Sequence, residues 1–496
     1  MRTPNANWPC CLVLALVCAL GVRGGPSFAL LELRAGGQLV DDGAPVFLRA
    51  AMYYQPHAFH QYFWTELDES LLEPDLESMG QHGINTVVLE VDWGAFMPSV
   101  DVPAETFTWD AGNEQKLRRI LELTSGKEMY VILWFTWARA PEGVGAKPYE
   151  AGPDLGGKEH PPFKGYLLPS YPAIAIDDTL AWKACLTFHE RIAKLTAEFG
   201  HVILDPLDWQ HLNMSYWAWA DAENLAAWRA HLRSINADLQ HWNQRWGEKN
   251  DTWDDVLLPL DSHVQKTAAK PAGSPYADVP VTPYDAAKWH DFNDWHDAAF
   301  VRIAREIIAA LERGNSAAPI GQRIDRWRYG QWRPRTWAPW HPEGETAPLP
   351  GRFYCISYYP RTREDAEQAE AKLAGTIQKV LDLDQHGYPI MLWETGIDVA
   401  RLYEGADAEA RETAQRDHLD VVAATAERLR LMGFGWWVWR DYHMSEAAQQ
   451  HGLVGIDGAE KKAVELIKWG YVPEAEEETD EGKPKKKRQR RRRARQ

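Results

Sequence analysis

Eight short stretches hold the residue types from which chemistry could be built. They are Tyr53-Tyr54-Gln55, Glu90-x-Asp92-Trp93, Trp134-x-x-Trp137-x-Arg139, Trp209-Gln210-x-x-Asn213, Arg323-x-Asp325, Tyr358-Tyr359, Trp393-Glu394, and the run 436–441 that contains Trp439. Together they combine rings with carboxylates, amides and guanidiniums. A sugar offers apolar C–H faces that stack on rings, and hydroxyls that need charged or amide partners, so this mixture suits a carbohydrate cleft. One Trp alone is ordinary packing material. The recurrence of the same vocabulary is what points to a site, and it also gives a use to 25 Trp in 496 residues, well above average usage.

Each stretch closes an apolar run. The runs lie at 47–54, 86–91, 129–135, 207–213, 320–324, 353–358, 390–394 and 435–439, and amphipathic stretches separate them at 73–82, 113–125, 180–199, 221–246, 284–313, 363–384 and 409–432. Eight strands alternating with helices predict an α/β protein, a (β/α)₈ TIM barrel whose working residues gather on the loops after the strands. No Gly-rich phosphate loop follows any strand, which argues against an open, doubly wound nucleotide-binding sheet. A small hairpin with turns at Gly36-Gly37 and Asp42-Gly43 precedes the first strand, and the barrel is expected over 30–472.

The two ends differ from this body. Residues 1–29 have the build of a secretory signal, with Arg2, an apolar run from Cys10 to Val22 and small residues around Ser27-Phe28-Ala29, so a secreted or cell-surface location is expected. Of five cysteines only Cys185 and Cys355 fall outside this leader, one read on a helix and one on a buried strand, and no bridge is expected. Residues 473–496 run from acidic to basic and contain too little apolar surface to fold. Removing the ten positive charges of 483–496 takes the formal net charge from −17 to −27, so the folded body is a poor nucleic-acid binder, whereas the tail suits a polyanion or an anionic membrane surface. The histidines show no metal spacing, and neither metal nor cofactor is expected.

In their order along the chain, the stretch 63–98, DWQHLN at 208–213, the helical segment 224–247, KWHDFNDWHDAAF at 288–300, ISYYP at 356–360 and WETG at 393–396 resemble glycoside hydrolase clan A, most nearly the family 42 β-galactosidases. The resemblance implies a retaining hydrolase of β-linked sugars, with an oligo- or polysaccharide as partner. One carboxylate attacks the anomeric carbon, and an acid about 5 Å away protonates the leaving oxygen. It makes Glu394 the nucleophile and Asn213 the partner of the 2-hydroxyl. It also puts Met214 where the family has its acid/base Glu, and a thioether cannot donate a proton. Glu90, Asp92 and Asp325 are the candidate substitute acids; the alternative is a barrel that binds sugar without cleaving it. Gln210, Tyr54, Trp93, Trp137, Arg139, Tyr358, Trp393 and Trp439 are the candidate sugar contacts, and Arg139, Arg323, Arg326 and Arg328 could meet anionic sugar groups.

Overall fold

The computed structural model describes residues 31–34, 38–59, 62–101, 104–136, 141–142, 179–205, 222–259, 280–283, 285–323, 351–360, 362–383, 387–443 and 448–467. Its centre is a closed barrel of eight parallel strands: β1 (Leu48–Met52), β2 (Thr86–Asp92), β3 (Tyr130–Thr136), β4 (Val202–Asp205), β5 (Ile320–Arg323), β6 (Arg352–Tyr358), β7 (Ile390–Thr395) and β8 (Gly433–Trp436). β8 pairs with β1 through Gly433 opposite Leu48 and Trp436 opposite Ala51, which leaves no edge exposed. The strands read as near-continuous apolar runs because the helices cover their outer face and side chains fill the barrel's interior. β2 and β3 are buried along their whole length.

The outer helices are α1 (Glu69–Gln81), α2 (Ala111–Gly126), α3 (Thr179–Thr196), α4 (Ala222–Ile235), α5 (Leu239–Trp246), α6 (Ala287–Gly314), α7 (Ala366–Leu383) and α8 (Ala408–Arg428). Asp68, Asp110 and Asp407 accept backbone N–H bonds from Ser70, Asn113 and Ala410, which starts α1, α2 and α8 at those positions. The single helix expected over 221–246 is two. Asn236 accepts from the Asp238 N–H and Asp238 caps α5 through Gln240, so these short polar side chains compete with the helical backbone and turn the chain.

The expected hairpin is part of a three-stranded antiparallel sheet, Glu32–Leu33, Leu39–Asp41 and Ala44–Val46. Its second turn has Asp42 and Gly43 at φ 48° and 79°, the left-handed pair that a two-residue hairpin needs. The largest displacement from expectation concerns the fourth strand. It runs over Val202–Asp205 rather than starting at 207, and Asp205 pairs opposite Trp134. Cys185 and Cys355 are both buried and free.

Tryptophan supplies a second core. Leu225, Trp228, Leu232, Trp242, Val256, Leu258, Trp289, Phe292 and Trp295 form a hydrophobic cluster separate from the barrel's, built from α4, α5, the segment after α5, and α6. Among the described residues no helix is long and apolar enough to cross a membrane.

Candidate active site at the barrel mouth

Glu394 stands near the C-terminal end of β7, 8% exposed, and the Tyr359 hydroxyl donates to its Oε1. A bulge precedes it. Ile356 pairs with Leu392 but Ser357 pairs with Glu394, and toward β8 the pairs are Leu392 with Phe434 and Thr395 with Trp436. β7 therefore holds one more residue than either neighbour over the same span, which re-aims the side chains around the carboxylate. Thr395, the next residue, is fixed from behind. Its hydroxyl donates to the Tyr358 carbonyl at 2.8 Å and lies 3.4 Å from His418 Nε2 on α8. Burial holds the His418 imidazole down at about 4, so it stays neutral at physiological pH.

Aromatic rings surround this carboxylate. The half-buried Trp437 follows β8, and its ring lies 6.4 Å from Trp134 and 5.9 Å from Tyr54. Tyr442 accepts the Trp437 indole N–H at 3.3 Å and stacks flat on Phe59 with 4.0 Å between centroids. Burial, with Glu394 among the nearby negative charges, pushes the Tyr442 hydroxyl well above its usual range. Trp134 and Trp393 approach to 6.4 Å across the barrel. The peptide between Trp437 and Val438 is cis. Gly396 sits close beneath Trp437 and Tyr359: a Cβ there would lie 2.9 Å from the Trp437 carbonyl oxygen.

Across the mouth Glu90 is 1% exposed and takes two hydroxyls, Tyr54 on Oε2 and Thr136 on Oε1 at 2.8 Å. Its main-chain carbonyl accepts the Trp64 indole at 2.8 Å. Asp92 is fully buried and accepts from the Ala95 N–H at 3.1 Å, the cap of the single turn Trp93–Phe96.

Of the expected sugar contacts, the structure brings Trp393 and Tyr54 to the same end of the barrel as the expected nucleophile Glu394, and turns three others outward. Trp93 is fully buried between β2 and α3, its indole on Met97 Sδ at 3.4 Å and its ring stacked on Phe188. Tyr358 stacks on His418 and donates to Glu364 at 2.9 Å, so of the adjacent tyrosines it is Tyr359 that reaches Glu394. Trp439 packs 5.9 Å from His82 at the end of α1, and Trp437 is the ring that faces the mouth. These assignments change because side chains alternate along an extended chain. The sequence flagged Tyr358-Tyr359 and 436–441 but had no signal for which member faces in. Phe59 and Tyr442 were not foreseen. Met214, Asn213, Gln210, Trp137, Arg139, Asp325, Arg326 and Arg328 lie outside the described residues. No group of three or more metal-binding side chains occurs among the described residues.

Comparison with known proteins agrees with this geometry at the level of fold. No family model matches the chain, and no curated protein does. Solved structures do. An exo-β-1,4-mannosidase from Opitutaceae bacterium strain TAV5 is 15% identical with a TM-score of 0.51, covering 88% of this chain and 61% of its own. A β-galactosidase from Rahnella sp. R3 is 15% identical at 0.55, covering 89% and 56%. A β-galactosidase from Bacillus circulans sp. alkalophilus is 14% identical at 0.57, covering 86% and 55%. The chain thus spans between half and two thirds of the length of these proteins. The likeness is one of fold, a closed (β/α)₈ barrel.

Proposed function

We propose that the chain acts on β-linked sugars as a retaining glycoside hydrolase with Glu394 as nucleophile. The observation that carries this reading is the placement of Glu394: a nearly buried carboxylate at the mouth end of a barrel strand, held by Tyr359 and ringed by Trp437, Tyr442 and Trp393. The Tyr359 hydroxyl donates to one of its oxygens and so fixes how the carboxylate is turned. The rings exclude water and offer a surface for the sugar's C–H faces.

The acid is a separate question. Met214 stands where the resemblance places the acid/base Glu, and Glu90, Asp92 and Asp325 are the candidate substitutes. General acid–base catalysis is worth roughly 10²–10⁴-fold, so this protein should favour substrates whose leaving group needs little protonation. The same Met214 favours a second reading, a barrel that binds sugar with little or no turnover. Export through the leader and polyanion contact by the tail belong to the proposal on sequence grounds alone.

The test is covalent. Incubation with 2,4-dinitrophenyl 2-deoxy-2-fluoro-β-glycosides of galactose, mannose and glucose, followed by peptide mass spectrometry, should find the label on Glu394. Labelling of another carboxylate would overturn the assignment. Sugar binding without any label would decide for the second reading.

A further inference from the structure

The bulge in β7 puts two consecutive side chains on the same side of the strand. Thr395 points outward, to the Tyr358 carbonyl and His418 of α8, and Glu394 points to the mouth. Regular alternation would send Trp393 outward like Thr395. It goes inward instead: its ring meets that of Trp134 on β3, four strands away around the barrel, and two such rings can touch only through the interior. Trp393 is the extra residue of the bulge, since Ile356 pairs with Leu392 and Ser357 with Glu394. One irregularity therefore puts a carboxylate and an indole, consecutive in the chain, on the same side of β7.

The Trp393 indole N–H is buried and has no hydrogen-bond partner among the described residues. A buried donor left unpaired is destabilising, so its retention calls for an explanation. Trp228 in the helical cluster and Trp439 behind β8 carry the same orphaned group. Their surroundings differ. Trp228 is boxed by Trp246, Phe292, Trp295 and His231, whose ring faces are themselves weak acceptors. Only Trp393 adjoins the carboxylate of the mouth.

We infer that the Trp393 indole N–H is a sugar-binding donor, brought to the cleft floor by the bulge to receive a hydroxyl oxygen of the residue attacked by Glu394. This rests on the sugar-cleft reading above and adds to it a contact on the glycone, the sugar unit that an orphaned donor beside the nucleophile is placed to hold. The acceptor is neutral. A carboxylate or sulfate at that position would meet Glu394 at close range, so neutral glycones are the class favoured over uronates.

Indole N–H resonances of the ¹⁵N-tryptophan-labelled full chain provide the test, with Trp393→Phe identifying the signal and Trp393→Tyr serving if the first variant does not fold. Titration uses methyl β-galactoside, methyl β-mannoside, methyl β-glucoside and methyl β-glucuronide. For at least one neutral glycoside the Trp393 signal should move downfield, as a new hydrogen bond requires, and Trp393→Phe should weaken that binding about threefold to tenfold with the other indole signals in place. If the remaining indoles of the mouth respond while the Trp393 signal stays still and Trp393→Phe binds as tightly as the parent, the inference falls and the sugar cleft survives. If the glucuronide is preferred, the neutral-glycone class falls. If no glycoside moves any indole and Glu394 takes no label, both fall.

Discussion

The molecule has two gatherings of tryptophan, and they are built on opposite terms. In the helical cluster the rings are core. Trp242 donates to the Asn236 carbonyl at 2.9 Å, Trp246 to Asp291 at 2.8 Å and Trp289 to the Thr282 carbonyl at 3.0 Å, and the rings stack on one another. At the barrel mouth the rings encircle a carboxylate, one of them is only half buried, and another holds an unpaired donor. The first arrangement is a closed core, in which even the unpaired indole of Trp228 is boxed in by other rings. The second lies beside a carboxylate at the strand ends, and that is the contrast between the two.

Breaking the mouth at its centre should have the largest effect. Glu394→Gln is expected to lower turnover of 2,4-dinitrophenyl β-glycosides by about four orders of magnitude or more, with a thermal midpoint close to that of the parent. An unchanged rate would remove the mouth's claim to chemistry. In the helical cluster the outcome should be reversed. Trp289→Ala leaves a cavity in a closed core and should cost about 3–5 kcal/mol of stability by denaturant titration, while the labelling rate of Glu394 per folded molecule stays as it was.

Met214→Glu comes next, since an acid at the position where the resemblance places the acid/base Glu should raise turnover of glycosides with poor leaving groups about a hundredfold, and should hardly change it for dinitrophenyl glycosides. The smallest effect concerns pH. His418 is held at about 4 in the folded protein against about 6.5 when unfolded, so the unfolded chain binds more protons in that window. The stability tied to its neutral form is complete above the unfolded value and is lost as pH falls from about 6.5 toward 4. Equilibrium unfolding followed across this range should show a shallower acid slope in His418→Gln. An identical slope would mean that the imidazole behind Thr395 does not couple to folding.

How far the sequence alone could foresee these two regions depends on periodicity. Seven of the eight strands lie within about three residues of the apolar runs, because a buried parallel strand announces itself as an unbroken stretch such as Tyr130–Thr136. The fourth does not. Val202–Asp205 is short, and the richer Trp209-Gln210-x-x-Asn213 drew the strand toward itself. Facing is harder still. In Trp436-Trp437-Val438-Trp439 every position is apolar, so alternation leaves no mark. Only packing shows that Trp436 donates outward to the His451 carbonyl while Trp437 turns to the mouth. The bulge at Trp393 is invisible for a different reason: it is a mismatch between strands, and one strand's sequence carries no record of its neighbour's register. The tight fit of Gly435 against the Trp393 carbonyl, 2.0 Å from where a Cβ would be, becomes legible only once β7 and β8 lie side by side.

The ion pair between Arg440 and Asp75 joins residues 365 positions apart. Asp75 also receives the Tyr53 hydroxyl, and Arg440 reaches the Ile456 carbonyl, so the loop closing the last strand is stapled to the first helix. At ordinary rates of synthesis, roughly 5–20 residues per second, Asp75 leaves the ribosome some 20 to 70 seconds before its arginine exists. Until then β1 has a bare flank and a carboxylate destined for burial stands in water. The nascent chain is therefore most in need of chaperone protection before its final strand emerges, and losing that late arginine should lower the yield of folded protein more than the rate of any molecule that does fold.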